Sequence, residues 1–173
     1  MAKIKFGTQQ QWELEITPLT IWSNENSEVE FMEYQLGLYL EGKSVFNPEL
    51  ADKLVFVKDD QSEYIADFIS KTLAEHTQQN WTPAEPKAVL FMAPLGCAPC
   101  AGGVTNPREL VVLDITLSEN IWAGADNVFG QYTNTGMSLR VEATASAWSD
   151  FAAQIRQEED DFDEDDDNFE EEA

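Results

Sequence analysis

The residues best suited to redox chemistry are two cysteines, Cys97 and Cys100, which form a C-x-x-C pair. In thiol oxidoreductases such a pair follows a strand and opens a helix, because the helix N-terminus lowers the pKa of the first thiol. An apolar run at 88–93 predicts the strand, but the segment that follows Cys100, Ala-Gly-Gly-Val-Thr-Asn-Pro, is poor helix sequence. A redox pair and an accidental spacing of two reduced thiols in a tight loop are therefore alternative interpretations.

His76 is the single histidine of the chain. A zinc site at the cysteine pair would need His76 and a carboxylate as further ligands, because the chain has no second cysteine pair. A Ser-His-Asp or Cys-His hydrolase would also depend on His76. This residue falls at the end of a predicted amphipathic helix, where a cation is favoured, and this position gives it a structural explanation. We therefore predict no catalytic residue, no metal site and no cofactor.

The charge of the chain narrows the classes of function further. Its 173 residues include 33 acids and ten bases, which gives a formal net charge of -23. Binding to nucleic acid or to anionic lipid needs clustered lysines and arginines, so we expect neither. With so many carboxylates, no pair of them indicates general acid-base catalysis.

The C-terminal tail, residues 158–173, contains 12 of the acids and no base. Like charges repel and the tail has little apolar surface to bury, so we predict that it is disordered in the isolated protein. Its two phenylalanines would anchor on apolar clefts of a basic partner while the acids steer the encounter. The tail residues predicted to bind the partner are Glu158, Glu159, Asp160, Asp161, Phe162, Asp163, Glu164, Asp165, Asp166, Asp167, Phe169, Glu170, Glu171 and Glu172.

Two tryptophans in or next to loops, Trp81 and Trp122, complete the predicted partner-binding set. Aromatic side chains at loop ends are frequent anchors of protein interfaces. The alternative interpretation is that they cover the rim of a small core.

Hydrophobic periodicity predicts the strands that must position these residues. Alternation with period two predicts a strand at 12–16, with Glu13 and Glu15 facing solvent, and a longer strand that reaches Leu40. The turn at Gly42 predicts a hairpin. Further strands are predicted at 88–93, 111–117 and 137–145.

Two segments have the apolar spacing of helices. The first covers 62–76, with Ser62 as its N-cap and an ion pair between Asp67 and Lys71. The second has Ser146 as its predicted N-cap and ends before the acidic tail. This order of elements predicts an α+β fold, in which residues 1–157 form a single domain with a mainly antiparallel β-sheet and two packed helices, followed by the disordered tail.

These features predict an acidic inhibitor that binds a basic protein by electrostatic complementarity. The partner would be a toxin, a nuclease or a nucleic-acid-binding factor, and the inhibitor an immunity protein or a DNA-mimicking antagonist of bacterial or phage origin. One alternative is a thiol redox or metal-dependent protein that uses Cys97 and Cys100. Another is a single-stranded-nucleic-acid-handling protein whose acidic tail recruits other proteins. With no apolar run of membrane-spanning length and no signal peptide, we expect a cytoplasmic protein without membrane contact.

Overall fold

The described part of the chain forms nine strands and two helices. The structure is a computed structural model, and it describes residues 1–7, 9–23, 30–46, 55–58, 62–83, 88–95, 108–117 and 137–166. In chain order the elements are β1 (Ala2–Phe6), β2 (Trp12–Ser23), β3 (Glu30–Leu40), β4 (Lys43–Ser44), β5 (Val55–Lys58), α1 (Ile65–Glu75), β6 (Gln79–Trp81), β7 (Ala88–Pro94), β8 (Leu110–Leu117), β9 (Met137–Thr144) and α2 (Ala145–Asp166).

The first sheet is antiparallel, and its strands lie in the order β1-β2-β3-β4. Strand β5 also pairs with β3, along a different part of β3 from the part that pairs with β4. The register of β2 against β3 shifts between Pro18 and Thr20, where proline has no N–H to donate to the ladder. One face of the sheet is apolar and buried, because side chains alternate between the two faces of a strand. Its members on the three long strands are Ala2, Ile4, Leu14, Ile16, Met32, Tyr34, Leu36 and Leu38.

The predicted hairpin at Gly42 is confirmed. Leu40 pairs with Lys43 across a two-residue turn, and both turn residues have positive φ, 50° at Glu41 and 77° at Gly42. This conformation matches the right-handed twist of the strands that it connects, and glycine adopts it without strain.

The predicted exposure of Glu15 was wrong. Glu15 lies on the face of β2 away from the core, but it is only 8% exposed. Its Oε2 is 3.0 Å from the Nζ of Lys3, and Tyr39 lies close by, over the space that Gly37 leaves open. The glycine therefore makes room for a covered ion pair on a face that the alternation alone assigns to solvent.

The second sheet, with the order β6-β7-β8-β9, is also antiparallel. It contains the three strands that the sequence predicts after the first helix. Its buried face includes Trp81, Leu90, Met92, Val111, Leu113, Ile115, Leu117, Val141 and Ala143.

Helix α1 begins later than its sequence predicts. The N-cap position is Tyr64, without a side-chain capping bond, and Ser62 instead donates its hydroxyl to the carbonyl of Thr82 at 2.8 Å. Ser62 is therefore not the cap. The predicted pair between Asp67 and Lys71 is also wrong, because Lys71 lies 3.5 Å from Glu63.

Helix α2 packs against α1 and against strands of both sheets. Thr144 accepts a hydrogen bond from the N–H of Ala147 at 3.3 Å, so Thr144 takes the capping role that the sequence assigns to Ser146. The four apolar residues at the predicted helical spacing, Trp148, Phe151, Ala152 and Ile155, are all buried. The predicted α+β class, with mainly antiparallel sheets and two packed helices, is confirmed.

Candidate functional site

The last nine residues of α2, 158–166, form the acidic segment, in which eight residues are Asp or Glu and none is basic. Sequence predicted disorder from Glu158 onward, whereas the helix continues to Asp166. It continues because the apolar face of α2 does not end at Ile155: Glu159 and Phe162 follow at helical spacing, and both pack inward. The remainder of the predicted tail, including Asp167, Phe169, Glu170, Glu171 and Glu172, lies outside the described residues.

Glu159 points into the domain and is 3% exposed. Its Oε1 accepts a hydrogen bond from the hydroxyl of Tyr34 at 2.6 Å. Tyr34, on β3, is itself fully buried, and its oxygen accepts the N–H of Ile65, the first residue of α1, at 3.4 Å. Among the described residues, Glu159 Oε2 makes no hydrogen bond of normal geometry. The Glu159–Tyr34 contact thus joins the end of α2 to β3 and α1.

This environment disfavours the charged form of Glu159. Burial raises the pKa of Glu159 from 4.5 to about 7, although the Tyr34 hydroxyl, the Arg156 charge and the backbone N–H of Ala66 act in the opposite direction. Burial and the neighbouring carboxylate also raise the pKa of Tyr34, so its hydroxyl keeps the proton that it donates. Near neutral pH, Glu159 therefore exists in both protonation states.

Arg156 lies two residues before the acidic segment and pairs with Asp67 of α1. Its Nη1 donates to Asp67 Oδ2 at 3.3 Å, and its Nη2 contacts Oδ1. This bidentate contact holds α1 and α2 together. Because Arg156 is paired in this way, Asp67 compensates more of its positive charge than Glu159 does.

The other described side chains of the acidic segment divide between exposed and domain-facing positions. Asp160 and Asp161 are exposed, while Phe162 is partly buried and packs against the core. Glu158 lies 2.5 Å from the N-terminal ammonium group of Met1. Of the residues Asp163, Glu164, Asp165 and Asp166, the structure describes the backbone alone.

The charges within α2 disfavour helical structure in the acidic segment. The C-terminal end of a helix carries partial negative charge and favours cations, but the last turn of α2 contains no base. Carboxylates three and four residues apart also repel each other on a helix surface. The acidic segment is therefore held as a helix by the inward contacts of Glu159 and Phe162 against its own charge.

Trp81 does not belong to a partner-binding surface. It is 2% exposed in β6, its indole N–H donates to the carbonyl of Glu63 at 2.8 Å, and its ring packs edge-on against Tyr34 with centroids 6.2 Å apart. A buried indole needs such a hydrogen-bond acceptor. The core interpretation of Trp81 is the correct one, and Trp122 lies outside the described residues.

His76 ends α1 in the left-handed conformation, with φ of 52°, and is largely buried. Its Nε2 is 3.3 Å from Oε1 of Glu109, and its Nδ1 has no hydrogen-bond partner among the described residues. Glu109 stands just before β8, and Leu95, just after β7, donates its N–H to the carbonyl of Leu110. Cys97 and Cys100 belong to the connection between these strands and lie outside the described residues.

Sequence reasoning missed the residues that anchor the acidic segment. Tyr34 is an ordinary member of an apolar alternation, and the 125 residues between it and Glu159 give no local signal of contact. The signal for Glu159 is present: it follows Ile155 by four positions and precedes Phe162 by three, on the buried face of the helix.

Neither helix among the described ranges combines the length and the apolar character that crossing a bilayer requires. Within the same ranges, no three His, Cys, Asp or Glu side chains are grouped as metal ligands. Comparison with known protein families, curated proteins and solved structures finds no match for this chain.

Proposed function

We propose that the protein is an acidic inhibitor that binds a basic, nucleic-acid-directed protein through the outer face of α2. The observation that carries this proposal is that Asp160 and Asp161 are exposed on a helix whose opposite face is fixed to the domain at Glu159. A fixed array of carboxylates offers a basic groove charges that need little ordering on binding, which favours affinity. The long-range field of the chain would steer the encounter.

A cationic partner would also relieve the repulsion inside the acidic segment. The free protein keeps eight acids on nine successive helical positions without a base. Lysines and arginines placed beside this helix end would compensate both the carboxylates and the partial negative charge of the helix terminus. This relief of repulsion contributes to the free energy of binding, and a solvated acidic tail without helical structure would not supply it.

The decisive experiment compares two variants that each lose three negative charges. The test variant carries Asp160→Asn, Asp161→Asn and Glu164→Gln; the control carries Glu13→Gln, Glu75→Gln and Glu142→Gln, which lie on β2, α1 and β9. Each variant and the wild type are immobilised and challenged with host lysate at about 50 mM and 500 mM salt. We expect one basic protein to be retained at low salt by the wild type and by the control, and to be lost from the test variant.

The captured protein is then purified and its nucleic-acid binding or cleavage is assayed with each variant. Inhibition by the wild type and the control, weakened at least tenfold in the test variant and by added salt, would support the proposal. Each lost ion contact at a rim costs little on its own, whereas three neighbouring charges act together on the association rate. Equal inhibition by the two variants would contradict the role of α2, and capture that is independent of salt would contradict the electrostatic mechanism.

A second candidate function is the binding of zinc at Cys97 and Cys100. It is favoured by the placement of the buried His76–Glu109 pair, which lies where the connection that carries the cysteines begins and ends. Imidazole, carboxylate and thiolate are all zinc ligands, and together these four residues would supply a tetrahedral set. The Nδ1 of His76, which has no hydrogen-bond partner among the described residues, is available as a zinc ligand.

We expect Zn²⁺ to bind one-to-one in the presence of excess Mg²⁺, with affinity reduced at least tenfold by His76→Gln and by the double change Cys97→Ser and Cys100→Ser. Glu75→Gln removes a neighbouring acid outside the proposed site and is the matched control. Titration calorimetry measures the affinities. Unchanged affinity in the cysteine double variant would show that the metal binds elsewhere on this acidic chain.

A further inference from the structure

We propose that the Glu159–Tyr34 contact is a protonation-dependent latch that docks the acidic segment on the domain when Glu159 is protonated and releases it when Glu159 is ionised. Three observations place the latch here. Glu159 is nearly fully buried, it accepts a hydrogen bond from a tyrosine that is itself fully buried, and it lies in the acidic segment of the helix.

The groups around Glu159 do not supply a free countercharge. On α1, Asp67 is negative and holds Arg156 of α2 in a bidentate pair; on α2, Asp160 is a further acid. On β5, Lys58 lies over the ring of Tyr64, with Nζ 4.5 Å from its centroid. The residues of β1 and β2 on the buried face are apolar, namely Ala2, Ile4, Leu14 and Ile16.

Ionisation of Glu159 would therefore place a negative charge on a carboxyl group that is itself shielded from water and is repelled by the charge of Asp67. A buried carboxylate without a free countercharge is expensive. Moving the helix end into solvent removes that penalty and also increases the distance between the acids of the segment and Asp67. The remaining described contacts of the segment are the packing of the partly buried Phe162 and the pair of Glu158 with Met1, and a partly exposed ion pair contributes little.

The direction of the switch follows from the raised pKa of Glu159. An acid whose pKa is raised in the docked state binds its proton more tightly there than in the released state. Docking is thus strongest below the ordinary pKa of a glutamate, weakens by up to roughly tenfold per pH unit as the pH rises from there to the raised pKa, and levels off above it. The docked segment holds Asp160 and Asp161 in the fixed arrangement on which the proposed function rests, so the latch would control when the proposed binding surface is assembled.

Hydrogen exchange followed by mass spectrometry tests the latch on the full chain without a partner. After correction for the intrinsic pH dependence of exchange, we expect the protection of peptides that cover 156–166 to fall at least fivefold between pH 6 and pH 8. Peptides of β8 should change far less over the same range. Glu159→Gln keeps the shape and the hydrogen bond to Tyr34 but cannot ionise, so its segment should stay protected at both pH values.

Asp150→Asn is the matched control, since it removes an exposed acid of α2 outside the acidic segment; its exchange should follow the wild type. Wild-type protection that does not change between pH 6 and pH 8 would overturn the latch. An identical pH dependence in Glu159→Gln would also overturn it, because another group would then be responsible. The proposed inhibitor function does not enter this experiment, so failure of the latch leaves the binding experiment undecided, and failure of the binding experiment leaves the latch standing.

Discussion

Replacement of Trp148 by alanine is expected to lower the free energy of unfolding by about 3–5 kcal/mol, the usual range for an aromatic residue removed from a core. Trp148 is fully buried, packs edge-on against Phe151 with centroids 5.8 Å apart, and donates its indole N–H to the carbonyl of Val111 at 3.0 Å. The ring is thus the contact through which α2 is fixed to the second sheet. Since small domains are stable by about 5–15 kcal/mol, this one substitution would remove from about a fifth to nearly all of the total.

Trp148→Phe separates the contribution of the aromatic ring to stability from that of its hydrogen bond. It keeps an aromatic side chain against Phe151 but loses the N–H that reaches Val111, and we expect less than half of the alanine effect. Urea denaturation measures both variants, and an unchanged m-value would show that the loss lies in the stability of the folded state. A loss of less than 1 kcal/mol in Trp148→Ala would contradict the role of this ring in the joint between α2 and β8.

Sequence was sufficient for the fold where burial follows a regular period. The alternation of β8 and the helical spacing of Trp148, Phe151 and Ile155 lie on faces that are buried in the structure, because one-sided burial and element geometry dictate these periods. Covered polar groups obey no such rule. Glu15 sits on the solvent side of its strand and is buried all the same, through contacts with Lys3 and the ring of Tyr39.

The candidate site shows the same limit more sharply. A run of acids indicates a solvated tail, so composition alone separates Glu158 and the residues after it from the domain. Helical spacing places Glu159 on the buried face, but only the tertiary fold brings Tyr34 and the start of α1 to meet it. The composition of a segment describes its average residue, and here it indicates a solvated tail. The helix is extended by two residues, Glu159 and Phe162, whose inward packing departs from that average.

Glu159→Gln is expected to stabilise the domain at pH 8 relative to the wild type and to leave its stability nearly unchanged at pH 4. The pKa of Glu159 is raised to about 7 in the folded state from an ordinary value of 4.5. For an acid with a raised pKa, the stabilising contribution is complete below the unfolded pKa and is lost as the pH rises through the folded pKa. One pKa unit corresponds to 1.36 kcal/mol, so this interval corresponds to about 3 kcal/mol.

The difference between the two stability curves isolates Glu159 from the many other carboxylates of the chain, whose mutual repulsion lowers the stability of both proteins as the pH rises. Asp150→Asn, which removes a single exposed charge of α2 outside the acidic segment, should run parallel to the wild type between pH 4 and pH 8. If the acidic segment undocks before the domain unfolds, the carboxylate of Glu159 becomes solvated while the rest of the domain is still folded. The loss in the free energy of unfolding with rising pH then cannot exceed the free energy of docking. A difference that levels off well below 3 kcal/mol, together with local exchange at 156–166, would therefore measure how strongly the latch holds. A difference of zero at pH 8 would mean that Glu159 keeps an ordinary pKa despite its burial.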